Sequence, residues 1–239
     1  MGEDLRRPPM KTLGLIGGMS WESTQLYYQL LNRAARDRLG GQHSAALVLW
    51  SVDFAPIVRM QESGRWDEAT AILVEAGRRL EQAGAEALLI CANTMHRMAV
   101  EVQAAVSIPL IHVADATAAA VRAARCERPL LLATRYTMEQ DFYRARLSAA
   151  GVDALIPGEP DRRALQAMIY DELIQGVASA ASKGALLDMI ARSRRDQGAD
   201  GVMLACTELG MLVAQSDTDL PVFDTTVIHA QAGTAFAIA

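Results

Sequence analysis

Short apolar runs alternate with helical periods along this chain, and the whole alternation is written twice. Apolar runs at 13–17, 45–52, 87–91 and 108–113 are separated by helical patterns, and the order resumes with runs at 129–134, 152–157, 201–206 and 220–224. The offset between the two series is about 115 residues. A βαβαβαβα order needs parallel strands, because each return to the sheet crosses over through a helix. The pattern predicts an α/β fold of two similar Rossmann-like domains. Each is a parallel sheet of about four strands flanked by helices, related by pseudo-twofold duplication. Residues 11–113 with about 226–239 are expected to form the first domain, and 114–225 the second. Ligands in such sheets bind at the carboxyl ends of the strands, so a cleft between the two sets of ends is the expected site.

The chain's 239 residues suit two such units, and an apolar share of 51% supplies their cores. The net charge of −5 and the scattered basic residues argue against a nucleic-acid surface. No apolar run approaches the roughly 20 residues of a membrane span. Residues 1–10 are polar, lack the apolar centre of a signal peptide and read as a flexible tail. Three cysteines without a close pair exclude a disulfide framework and a cysteine-rich zinc site; a reducing cytoplasmic compartment fits them best.

Chemistry concentrates where the strands end. Gly17-Gly18-Met19-Ser20 follows the first strand as a glycine turn into a helix, without the GxGxxG of dinucleotide binding. Asp53-Phe54 follows the second. The third strand of each series carries a cysteine. Ala87-Leu88-Leu89-Ile90-Cys91-Ala92-Asn93-Thr94 is matched by Gly201-Val202-Met203-Leu204-Ala205-Cys206-Thr207-Glu208, and the lead-ins Gln82-Ala83-Gly84-Ala85-Glu86 and Gln197-Gly198-Ala199-Asp200 are alike. A buried cysteine taken alone is more often an inert small apolar residue, and Cys126, in no repeated context, is read so. The repeated context points to Cys91 and Cys206 as two thiols facing one site.

Cys91-Ala92-Asn93-Thr94-Met95-His96 and Cys206-Thr207-Glu208 resemble motifs of the aspartate/glutamate racemase family, and the resemblance runs from Lys11 to about Phe236. Gly17 to Thr24, Ser51 to Phe54 and Thr134 to Glu139 resemble its broad-specificity amino-acid racemase branch. The resemblance implies a cofactor-independent enzyme without a metal, commonly a homodimer, whose partner is a small amino acid. One cysteine would remove the α-proton while the other protonates the opposite face. It also implies that Asn93, Thr94 and Thr207 hold the α-carboxylate and amine, with Met19 and Ser20 closing over them and Tyr170 at a contact position.

His96, Glu208 and Asp53 are expected to orient groups or exchange protons, or merely to cap helices. With no electron-sink cofactor in view, preorganised donors must stabilise the carbanion. The dicarboxylate enzymes present basic residues to the second carboxylate; here none is evident, so aspartate or glutamate and a neutral amino acid of similar length stay open as substrates. Other chemistry on the same scaffold also stays open: maleate-type isomerisation with one nucleophilic cysteine, arylmalonate-type decarboxylation with one protonating cysteine, or amino-acid binding without turnover.

Overall fold

The computed structural model describes residues 10–239; the expected tail lies outside the described residues except for Met10. Two parallel three-stranded sheets organise the chain. The first is built from β1 (Leu13–Gly17), β2 (Leu47–Ser51) and β3 (Ala87–Ile90), in the order β2-β1-β3. Its helices are α1 (Trp21–Leu39), α2 (Phe54–Glu62), α3 (Trp66–Gln82) and α4 (Ala99–Ala104), followed by α5 (Val113–Ala123). The second sheet joins β4 (Pro129–Leu132), β5 (Gly201–Leu204) and β6 (Val222–Asp224), in the order β4-β5-β6. Between β4 and β5 lie α6 (Arg135–Glu139), α7 (Asp141–Ala149), α8 (Glu159–Ala167) and α9 (Ala180–Gln197), and α10 (Thr225–Ile238) closes the chain.

The expected fourth strand is reduced in each half to a single parallel bridge, Leu88 with Leu110 and Leu130 with Leu155. Each bridge exchanges two backbone hydrogen bonds with its neighbour and goes no further. Pro109 and Pro157 flank these segments and lack the N–H that a longer ladder would use. The sheets therefore have three strands rather than about four.

Side chains alternate along β3, and each face meets a different cover. Leu88 and Ile90 pack with Leu73, Ala76 and Leu80 of α3. Ala87 and Leu89 pack with Tyr27 and Leu31 of α1 and with Ala230 and Ala237 of α10. The C-terminal helix thus lies on the first sheet, where Gly233 leaves room for Leu89; a Cβ there would stand 2.8 Å from Leu89 Cδ2. One continuous apolar cluster encloses the second sheet.

Local signals explain the element ends near the cleft. Ser20 caps α1 by accepting from the Ser23 N–H. Before it, Gly18 has φ +91°, and a Cβ at that position would sit 2.2 Å from the Val52 carbonyl oxygen; only glycine lets the first loop close on the end of β2. Beyond β3 and β5 the chain winds into short 3-10 turns, Thr94–Met98 and Thr207–Met211. Ahead of α4, the first replaces the longer helix that the periodicity predicts at 94–105. After α8 the helix widens into a π-turn, Met168–Glu172, a form often found beside functional sites. Among the described residues no helix is long and apolar enough to cross a membrane.

Candidate active site

Residues from both halves meet around a cavity of about 70 Å³ at the carboxyl ends of the strands. At roughly 10–15 Å³ per water on the same measure, it has room for a small organic molecule. The first half contributes Met19, Ser20, Asn93 and Thr94; the second contributes Tyr170, Cys206, Thr207 and Glu208. The sequence singled out all eight.

Cys206 is the thiol of this cavity. Its Sγ donates to Glu208 Oε2 at 3.0 Å. Thr207 Oγ1 donates to the same carboxylate oxygen at 2.6 Å, and the Ser20 and Ser23 hydroxyls reach Oε1 at 3.4 and 3.3 Å. Ser23 also bonds Thr207 directly, so the carboxylate ties the first loop to the end of β5. Burial raises the Cys206 pKa well above that of an ordinary thiol, and the charge and accepted hydrogen bond of Glu208 push it further; the Glu208 backbone N–H offsets part of this. The resting group is therefore a protonated thiol aimed at a carboxylate, an acid rather than a standing thiolate.

Cys91 does not face it. The first residue of β3 pairs with the first residue of β1, and the first residue of β5 with that of β4. The N–H of Cys91 bonds the Ile16 carbonyl, and the N–H of Ala205 bonds the Leu132 carbonyl in the same way. Cys91 is thus the counterpart of Ala205, and Ala92 is the counterpart of Cys206. Cys91 extends the row of Ala87 and Leu89, fully buried against α1 and α10. Its pKa is raised strongly by burial alone, with no donor or cation to favour a thiolate. Ala92 extends the row of Leu88 and Ile90 and lines the cavity. The expectation that two thiols oppose each other across the cleft is corrected here, because a one-residue difference in register reverses the direction of a side chain.

The other wall is braced from behind. His96 lies outside the cavity, 3% exposed. Its Nδ1 is 2.9 Å from the Ala92 carbonyl, and its Nε2 accepts the Val113 N–H at 3.3 Å. An acceptor on one side and a donor on the other fix a neutral ring with the proton on Nδ1. His229 is held likewise, between Tyr27 Oη at 2.8 Å and the Ile111 carbonyl at 2.6 Å. The ring of His96 lies tilted with its centre 4.6 Å from that of His112, and edge-on 5.4 Å from that of His229. Burial lowers the pKa of all three, to about 3 for His112 and about 4 for His229, and their mutual repulsion adds to the depression of His96. His96 thus holds the backbone of the wall and does not reach the cavity.

Asn93 is largely committed to the protein. Its Oδ1 accepts from Tyr143 and Thr225, and its Nδ2 donates to Thr225 at 3.1 Å. One Nδ2 hydrogen is left over. Thr94 Oγ1 lies 3.0 Å from Thr134 and 3.1 Å from Thr137, a hydroxyl cluster shared between the halves. Asp53 is exposed and caps α2 by accepting from the Ala55 N–H at 3.2 Å; it does not line the cavity. Cys126 donates to Asp200 at 2.8 Å where β4 and β5 begin, at the opposite ends of the strands from the cavity, and burial with that carboxylate raises its pKa to about 12.

The cavity also takes Phe54, Gln61, Met95, Ile169 and Ile174, none of them named as site residues from the sequence. Gln61 is a polar residue on the buried face of α2, beside Ile57, and Ile169 and Ile174 are brought in by the π-turn and the 3-10 turn Leu173–Gln175 after it. Among the described residues no group of three or more His, Cys, Asp or Glu is placed to hold a metal ion.

A family model described as Asp/Glu/Hydantoin racemase matches residues 16–233. The crystal structure of a candidate Asp/Glu racemase from Yersinia pestis superposes with a TM-score of 0.91 at 45% identity, covering 96% of this chain and 100% of the other. An aspartate racemase homologue from Pyrococcus horikoshii OT3 gives a TM-score of 0.86 at 32% identity, with 95% and 99% covered. The broad specificity amino-acid racemase RacX of Bacillus subtilis (strain 168) is 22% identical over 165 residues, 69% of this chain and 70% of RacX.

Proposed function

This chain belongs to the Asp/Glu/hydantoin racemase family, and from that premise we propose that it is a cofactor-independent amino-acid racemase with a single proton-transfer thiol, Cys206. The observation that carries the reading is the Cys206–Glu208 pair in a cavity whose opposite wall presents Ala92. Glu208 takes the thiol proton as a substrate binds, and the resulting thiolate, steadied by the Glu208 backbone N–H, removes the α-proton on its face. The same thiol returns a proton to the carbanion. The hydroxyl that the Ala92 wall offers is Thr94 Oγ1, linked to Thr134 and Thr137. A hydroxyl is a far weaker acid than a thiol, so exchange on that face is slow.

Enantiomers have equal free energies, so kcat/KM is the same in both directions. The asymmetry emerges as isotope exchange instead. In D2O the enantiomer whose α-hydrogen faces Cys206 exchanges faster than it inverts; its mirror image exchanges no faster than it inverts. NMR of the purified protein with each common L- and D-amino acid measures both rates. Loss of α-hydrogen from no member of that panel would sink the reading.

The missing second thiol favours one other reaction, decarboxylation of a disubstituted malonate. There the carbon–carboxylate bond breaks, the electron pair stays on the α-carbon, and Cys206 protonates it. Release of carbon dioxide from such malonates, without exchange of any amino acid, identifies that reaction.

The same proposal takes residues 11–113 with 226–239 as one catalytic half and 114–225 as the other, related by duplication. It includes a homodimer, tested by sedimentation, and a reducing cytoplasmic setting, which the free thiol of Cys206 requires.

A further inference from the structure

The cavity lining has an apolar part besides the polar groups at the strand ends. Phe54, Met95, Ile169 and Ile174 form it. Gln61, from the last turn of α2, lines the same cavity. Gln61 is 5% exposed, yet its Nε2 reaches only a thioether, Met95 Sδ, at 3.7 Å. No other side-chain hydrogen bond of Gln61 forms among the described residues. A buried amide with so weak a partner is unfavourable to the fold unless something else completes its hydrogen bonds. Among the described residues no Lys or Arg lines the cavity, and the one formally charged side chain there is the carboxylate of Glu208.

A second carboxylate on the substrate would thus enter a small, mostly apolar space with no cation to pair it and a negative charge already present, an uncompensated burial. A hydroxyl or amide would instead meet Gln61, whose side chain both donates and accepts. We propose that Gln61 is the specificity-determining residue of this site, and that it selects amino acids with a short hydrocarbon stem ending in a neutral hydrogen-bonding group over the dicarboxylic ones. This rests on the racemase reading for the identity of the ligand as an amino acid, but not on which face of it is protonated. The stem lies on Met95 and Ile174, the terminal group meets Gln61, and the α-ammonium lies toward Glu208. A site built to hydrogen-bond a terminal group discriminates strongly against analogues lacking it, because its own polar group is then left unpaired.

Homoserine, glutamine, glutamate and norvaline are the probes. Binding is read by calorimetry on the full-length Cys206→Ser protein, and turnover by α-hydrogen exchange on the protein with Cys206 intact. Homoserine or glutamine is expected to bind at least ten-fold more tightly than glutamate. Gln61→Leu is expected to lower the ratio of homoserine to norvaline, in affinity and in kcat/KM, by at least ten-fold. Gln61→Lys is expected to move preference toward glutamate, a gain that a misfolded protein cannot produce. Tighter binding of glutamate than of homoserine by the unsubstituted site overturns the proposal. So does a Gln61→Leu protein that weakens all four ligands in equal proportion, and so does binding of none of them. Selective, Gln61-dependent binding without exchange of any substrate supports the proposal and counts against the racemase reading alone.

Discussion

The ends of β3 and β5 are built alike and do different things. Both strands stop after four residues, in both the N–H of the next residue bonds the neighbouring strand, and both lead into a short 3-10 turn. At β5 the residue that turns into the cavity is Cys206, hydrogen-bonded to Glu208. At β3 it is Ala92, and the thiol one position earlier is sealed between α1 and α10. Matching architecture therefore does not guarantee matching surroundings: the direction of one side chain separates a thiol that faces the cavity from one that belongs to the core.

The largest effect should come from removing the β5 thiol. Cys206→Ala is expected to lower kcat/KM for α-hydrogen exchange by about 10³-fold or more. Cys91→Ala should stay within a few-fold and cost about 1 kcal/mol of stability in urea unfolding, the loss of a small buried group. Equal damage from both substitutions would restore the opposed pair and break the contrast.

Next comes the partner of the thiol. Glu208→Gln is expected to slow exchange by about 10²-fold, since the proton on Sγ loses its acceptor. The sign for the thiol is opposite to the sign for the rate. The carboxylate raises the Cys206 pKa by its charge and its accepted hydrogen bond, so its neutralisation should bring the thiol pKa down. Ultraviolet titration of the thiolate measures that shift.

Ala92→Cys tests the β3 wall by making it resemble the other. A thiol there should raise inversion by about ten-fold and bring the exchange and inversion rates of the favoured enantiomer together. An unchanged ratio would mean that Ala92 is not placed to exchange protons with the substrate.

A further effect is on stability and belongs to the β3 wall, which has the histidine cluster behind it. His229 titrates at about 4 in the fold against 6.5 as the ordinary value. The unfolded chain therefore binds more protons between those pH values, and stability falls as pH drops through them. By pH 5 the loss from this group should be about 2 kcal/mol. Urea unfolding at pH 7 and pH 5 measures it, and His229→Gln should flatten the acid limb.

Much of the fold was legible because burial on both faces of a parallel strand leaves an unbroken apolar run, and the helices between carry their own period. The outer segments around Leu110 and Leu155 look like strands by the same measure; Pro109 and Pro157, without the N–H that a longer ladder would use, shorten them to bridges. Seven cavity residues were legible as small polar or flexible groups after strand ends, and Tyr170 only through the family resemblance. Gln61 was not, because a glutamine within a helix looks like any solvated position until the helix is docked.

By itself the sequence determined two parallel α/β halves, a candidate site at their strand ends and a family. It also held the register of the thiols, since Cys91 stands fifth from the start of its run and Cys206 sixth from the start of the other. Only the tertiary structure gave that count a meaning. Side chains alternate from face to face along a strand, and which face is cavity and which is core depends on what packs there. For β3 the covering face belongs to α1 and to α10, a helix from the far end of the chain.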